Sequence, residues 1–183
     1  MGQLGCGYFG PSGGAPTNIE SAVVVGSEDR AIQLSAGLNH ACVLQSTSGG
    51  KLDCWGDNAV TQLTSALASS SAYPSTVSLA FTTNVYAAGR HTCATSGGAL
   101  YCWGDNTGGQ LATSDISPTV TSPSAVNFPT PTVVTALPVG GSAGNHTCVY
   151  SSQTLCWGEN VSGQVGDGTN FSPVMAPTVV GNL

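Results

Sequence analysis

Basic side chains are almost missing from these 183 residues: three Lys or Arg face nine Asp or Glu, for a formal charge of −6 and a pI near 4.5. No nucleic acid partner is expected, because such binding draws most of its affinity from Lys and Arg neutralising phosphates. A polybasic membrane patch is missing for the same reason. Charge of either sign is scarce, at 7% of residues, yet no apolar run approaches the roughly 18 residues that span a bilayer. Gly, Ser, Thr and Pro interrupt every hydrophobic stretch, so a soluble chain without a membrane span is expected. No segment joins helical spacing to strong helix formers over about three turns, so almost no helix is expected. Catalytic signatures are lacking as well. There is no Gly-x-Ser-x-Gly elbow, no Gly-rich phosphate loop with Lys and no His-Glu-x-x-His helix, and the Asp-Gly and Asp-Asn turns lack the spaced carboxylates of a calcium loop. No enzyme activity, catalytic residue, metal site or cofactor is expected.

What the chain does have is turn chemistry, apolar material and repetition. Twenty-five Gly and ten Pro accompany 40% hydrophobic residues and a mean hydropathy of +0.14, enough apolar material to fold; with frequent Val, Ile and Thr, this composition predicts short strands joined by many turns. Internal repeats are the strongest signal. The first copy reads Ala36-Gly37-Leu38-Asn39-His40-Ala41-Cys42, then Leu52-Asp53-Cys54-Trp55-Gly56-Asp57-Asn58 and Gln62-Leu63. The second reads Ala88-Gly89-Arg90-His91-Thr92-Cys93, then Leu100-Tyr101-Cys102-Trp103-Gly104-Asp105-Asn106 and Gly109-Gln110-Leu111. The third reads Ala143-Gly144-Asn145-His146-Thr147-Cys148, then Leu155-Cys156-Trp157-Gly158-Glu159-Asn160 and Gly163-Gln164-Val165-Gly166. The tryptophans recur at intervals of 48 and 54 residues, near the range of solenoids, propellers and arrays. Gly2-Gln3-Leu4-Gly5-Cys6-Gly7 matches the close of the third copy, so the chain opens in the second half of a repeat. One repeat domain over 1–183 is expected: a half-repeat and linker at 1–34, then repeats at 35–84, 85–139 and 140–183.

Within a unit, a short strand ending near Cys, a turn such as Ser48-Gly49-Gly50 or Ser96-Gly97-Gly98, and a second strand running into Cys-Trp-Gly form a hairpin. The Gly-Asp-Asn or Gly-Glu-Asn after each Trp reads as a turn whose Asp or Asn bonds its own backbone. Pro-containing tails such as Ser117-Pro118-Thr119 and Ser172-Pro173-Val174 read as loops leading to edge strands, where a missing amide donor does least harm.

On these motifs (Ala-Gly, His, Cys-Trp-Gly-x-Asn, Gly-Gln-Leu-Gly) the chain resembles the regulator of chromosome condensation repeat family from Gly2 to Val180. The resemblance implies an all-β fold, a β-propeller-type repeat array with about three and a half blades in this chain. Family members serve largely as binding surfaces, including nucleotide exchange on a small GTPase and inhibition of a β-lactamase by secreted bacterial relatives. This chain carries about half the usual repeats and has Thr61-Gln62-Leu63 where Gly-Gln-Leu is the pattern.

Hairpin units cannot bury their apolar faces alone, and an open stack exposes both ends. A second copy, neighbours in a fibre or further sequence would cover them. Six cysteines recur in pairs on the two arms of the hairpins, Cys42 with Cys54, Cys93 with Cys102 and Cys148 with Cys156, within disulfide reach if they lie opposite each other; an oxidising compartment follows. Two readings stand beside it. One is a metal site, with His40 and Cys42, His91 and Cys93, and His146 and Cys148 two apart on one strand face; the usual Cys-x-x-Cys spacing is absent. The other is reduced, buried thiols. Cys6 is the odd one, either a free thiol or an interchain link. His40, His91 and His146 hold one repeat position, which favours a structural role, a ring nitrogen bonding a backbone group within the blade. Trp55, Trp103 and Trp157 read as packing anchors between blades. Sequons at Asn145, Asn160 and Asn170 matter only where glycosylation operates. The start, Met1-Gly2-Gln3-Leu4-Gly5, has no basic or apolar leader, which with disulfides leads to the expectation of a mature chain, a trimmed chain or an internal piece, the mid-repeat start favouring the last two.

Sequence alone therefore predicts a non-catalytic secreted or cell-surface propeller-type module that binds a protein or glycan or assembles with copies of itself, located outside the cell. The expected partner is a protein or the chain itself, as a homo-oligomer or as part of a longer chain. The alternatives are a structural subunit of an extracellular fibre or sheath, and a fragment of a larger propeller with guanine-nucleotide-exchange-like activity.

Overall fold

The computed structural model of the chain describes residues 31–46, 49–64, 66–67, 69–115, 117–130, 132–135 and 144–181. The half-repeat expected before residue 31, with Cys6, lies outside the described residues. Three antiparallel sheets follow one another. The first contains β1 (Ala31–Ala36), β2 (His40–Gln45), β3 (Lys51–Asp57) and β4 (Ser70–Thr76); the second β5 (Thr82–Ala88), β6 (His91–Ser96), β7 (Ala99–Asp105) and β8 (Thr119–Ala125). The third contains β9 (His146–Tyr150), β10 (Thr154–Gly158) and β11 (Val174–Val179). Each is a meander in which chain neighbours pair, and the described residues contain no helix. This is the all-β architecture of propeller blades.

The central hairpins are set by turn chemistry. Ser96 pairs with Ala99 across Gly97 and Gly98, whose φ values of 57° and 81° supply the left-handed pair that a two-residue hairpin requires. The cysteines sit mid-strand rather than at the strand end: Cys42 faces Cys54, Cys93 faces Cys102, and Cys148 faces Cys156. The Trp-Gly step differs from a free turn. Gly56, Gly104 and Gly158 have φ of 108°, 103° and 108° and mark a register shift against the outer strand. A Cβ on Gly56 would stand 2.5 Å from the Asn39 carbonyl, so glycine is required for the bulge to close. The next amide then bonds the loop before the His, as Asp57 N to Asn39 O at 2.8 Å and Glu159 N to Asn145 O at 2.8 Å. The last strand of every sheet lies at its edge and carries a proline, Pro74, Pro123 or Pro177, where no ladder bond is lost.

The core lies between sheets rather than within them. Leu44, Leu52, Leu63 and Val77 of the first repeat bury against Val85, Ala87, Ala94 and Trp103 of the second. Leu100, Leu111, Val120 and Val126 of the second bury against Val134, Val149 and Trp157. The first repeat is thus sealed by the second and the second by the third, as units with one apolar face require.

Candidate functional site

The repeat motif converges on the seam between neighbouring sheets. Thr92, directly after His91, reaches back from the second sheet and donates its hydroxyl to the Gln62 carbonyl at 2.7 Å. That hydroxyl has one proton, so the 2.9 Å contact between His40 Nε2 and Thr92 Oγ1 has the histidine as donor. The second seam repeats it: Thr147 donates to the Gln110 carbonyl at 2.7 Å and receives His91 Nε2 at 2.9 Å. The indoles close the same seams, Trp103 Nε1 donating to the Leu63 carbonyl at 3.2 Å and Trp157 Nε1 to the Gln110 carbonyl at 2.8 Å. Gln33 adds a pair of bonds to Val85, to its carbonyl and from its amide, each 2.9 Å, and Ser35 Oγ accepts the Ala87 amide at 2.9 Å.

Burial fixes the protonation state. His40 is pushed down to about 4 by desolvation, against a smaller opposing pull from Asp57. His91 is pushed down to about 3 by desolvation, reinforced by neighbouring His40 and His146. Both rings are neutral near pH 7 and carry their proton on Nε2, with Nδ1 buried and unpaired. His40 and His91 therefore bond a hydroxyl on the next blade, not a backbone group within their own blade as the sequence suggested; packing side by side is what makes the inter-blade partner available.

The cysteine pairs are disulfide-bonded, Cys42–Cys54, Cys93–Cys102 and Cys148–Cys156. The sulfurs are bonded to one another, so neither the thiolate ligand set nor the reduced-thiol reading applies. Trp103 and Trp157 are fully buried in the seams, while Trp55 packs with Ala41 and Val43 in a separate cluster.

Sequence reasoning missed three groups. Thr92 and Thr147 carry the relay, Gln62 and Gln110 present the acceptor carbonyls, and Asn58, Asn106 and Asn160 pin the loops that hold those carbonyls. Each of these asparagines accepts an amide five residues on, Leu63 N at 2.8 Å, Leu111 N at 3.1 Å and Val165 N at 3.0 Å. All three are buried, which takes Asn160 out of reach as a folded glycosylation acceptor. Recurrence at one repeat position was the signal that could have found them. Asn145 is half-buried and Asn170 exposed. A groove of about 530 Å³ opens where Pro129, Thr132 and Val133 meet Gln153, Leu155 and Val179, and its lining has no titratable side chain. No helix among the described residues is long and apolar enough to cross a membrane.

A stack of antiparallel blades locked by a recurring seam defines a propeller-type repeat protein. Residues 31–62 match the family described as Regulator of chromosome condensation (RCC1) repeat. The fold is similar to human WBSCR16, with 21% identity and a TM-score of 0.69 over 84% of this chain and 38% of that one. It is similar to yeast RCC1 (Prp20) bound to Kap60, with 21% identity and a TM-score of 0.74 over 88% of this chain and 39% of that one. A second structure, Prp20p of Saccharomyces cerevisiae, described with its binding to Gsp1p and histones, matches at 21% identity and a TM-score of 0.74 over 88% and 41%. The chain spans about two fifths of the length of these structures. No curated protein matches the chain.

Proposed function

We propose that this chain is a non-catalytic, protein-binding propeller module that works outside the cell or at its surface. One observation carries the reading: every sheet is stapled by its own disulfide, a device retained in oxidising compartments. The conspicuous polar groups of the repeat are spent on joining blades, which supports a scaffold whose loops and outer faces make contacts. Protein rather than glycan is favoured as partner because the structural neighbours include a propeller bound to Kap60 and one described with Gsp1p and histones.

The test is sedimentation of the oxidised chain alone and with candidate extracellular proteins, alongside nucleotide release from a small GTPase. A small fixed species that forms a saturable complex and leaves nucleotide release unchanged is expected. Large concentration-dependent species would replace this reading with the fibre subunit, and accelerated nucleotide release with the exchange factor.

A further inference from the structure

Among the described residues, three that are not glycine hold the left-handed backbone: Thr61, Phe81 and Ala112, with φ of 58°, 55° and 46°. Thr61 donates its hydroxyl to the Val60 and Val120 carbonyls at 2.7 and 3.3 Å, and Ala112 has only a methyl group to place. Phe81 is different. A bulky aromatic resists this conformation, and here no packing offsets it, since Phe81 is 71% exposed and no described aromatic ring lies against it. The loop is held all the same. Leu79 packs against the core between the first two sheets, Thr82 donates its hydroxyl to the Leu79 carbonyl at 2.8 Å, and Ser96 donates to the Ala80 carbonyl at 2.5 Å. The first hairpin turn leans on the same loop, for a Cβ on Gly50 would collide with the Thr82 carbonyl. Strain that the surroundings enforce and no burial offsets points to function.

Phe81 walls a cleft of about 590 Å³ together with Val77, Leu79, Gly49, Gly50 and Lys51, within the size range of ligand clefts, roughly 300 to 1,000 Å³. Lys51 is its one titratable lining residue, and the ammonium is paired with Asp53 at 3.0 Å, so the cleft is neutral. The other described carboxylates gather at the opposite end of the blades. Asp57, Asp105 and Glu159 follow the Trp-Gly steps, and Asp115 and Asp167 are held to Asn106 and Asn160 in the loops behind them.

We propose that the cleft beside Phe81 is a contact site for a partner protein, which enters it as an uncharged, extended segment and lays an aliphatic or aromatic side chain against the Phe81 ring. Charge selects this occupant. A basic segment is drawn to the carboxylate end instead, and an acidic one is repelled by a chain of formal charge −6 and finds Lys51 already paired. Gly49 and Gly50 present no side chain, so a partner backbone can approach that wall closely. Aromatic residues seated at a contact dominate its binding energy. This contact role rests on the reading of the chain as a protein-binding module, which sedimentation and nucleotide release test without reference to Phe81.

The test selects a displayed library of random peptides on the oxidised full chain and titrates the recovered peptides by fluorescence anisotropy. Uncharged sequences with a recurring aliphatic or aromatic residue are expected. Phe81→Ala should weaken their binding at least about tenfold, as for an aromatic hot spot, and Phe81→Tyr should keep the affinity. Melting temperature separates contact from packing. Phe81→Ala should melt within about 2 °C of the parent, as a change at an exposed position does. Phe81→Gly should melt about 2 to 4 °C above Phe81→Ala, because glycine relieves the left-handed backbone. Peptides indifferent to Phe81→Ala overturn the proposal and leave the module reading intact; if rich in Lys or Arg, they place the partner on the carboxylate end. No enrichment over an unrelated β protein also overturns it. So does a larger loss of stability in Phe81→Ala, which would show a ring packed within the chain, or a Phe81→Gly variant no more stable than Phe81→Ala, which would remove the strain.

Discussion

Replacing Thr92 by Val tests the relay that joins the first two blades. The side chain keeps its shape and loses one hydroxyl, so no cavity forms and the effect is electrostatic. Two buried groups lose their partner together, the His40 Nε2 proton at 2.9 Å and the Gln62 carbonyl at 2.7 Å. Each orphaned buried group costs about 1 to 3 kcal/mol, so Thr92→Val should destabilise the first seam by about 2 to 6 kcal/mol. The assay is urea unfolding of the oxidised chain, followed by fluorescence of Trp103, whose indole bonds Leu63 across the same seam. Repeat arrays sum neighbour interfaces rather than unfold as one body, so the loss should appear in the transition reported by Trp103. Thr92→Ser, which keeps the hydroxyl, should recover most of it. A Thr92→Val variant within about 0.5 kcal/mol of the parent, the range of a neutral surface change, would refute the reasoning.

Cys42→Ser with Cys54→Ser should lower stability by about 2 to 3 kcal/mol in the chain-entropy account of short loops while the circular dichroism spectrum stays that of a β fold; an unchanged melting temperature under non-reducing conditions would count against that bond's contribution. Trp103→Ala should cost about 3 to 5 kcal/mol, the range for a fully buried aromatic, read by denaturant unfolding with circular dichroism. Acid should open the seams. His40 and His91 favour the neutral form when folded, so the unfolded chain binds more protons as soon as pH drops below about 6.5; stability is full above that value and declines as pH falls towards about 4 for His40 and about 3 for His91. At about 1.4 kcal/mol per pH unit the two sites together would remove several kcal/mol, and a melting temperature flat from pH 6.5 to pH 4 would contradict the buried neutral assignment.

The hairpins, the proline loops leading to edge strands and the cysteine pairs were legible because each follows from local chemistry: Gly97-Gly98 dictates a two-residue turn, and cysteines at matching places on its arms fall opposite one another. The relay was not legible, because His40 and Thr92 are 52 residues apart and meet only when whole blades stack. The repeat had placed His-Thr in plain view at the second and third copies, yet a polar residue's partner depends on which face the next unit presents. The Asn after Trp-Gly was read as a local turn residue. It proves to bridge five residues, because the bulge at Gly56, Gly104 and Gly158 turns the chain inward and buries it.

The oxidised, stapled blade is the feature on which the proposed setting of this protein rests. Intact mass and disulfide-linked peptide mapping of the native protein under denaturing conditions, with and without reductant, test it directly. Linked peptides joining Cys42 to Cys54, Cys93 to Cys102 and Cys148 to Cys156, with a gain of about six protons at those positions on reduction, are the predicted result. Free thiols at those six positions in native material would contradict the secreted, disulfide-stapled module.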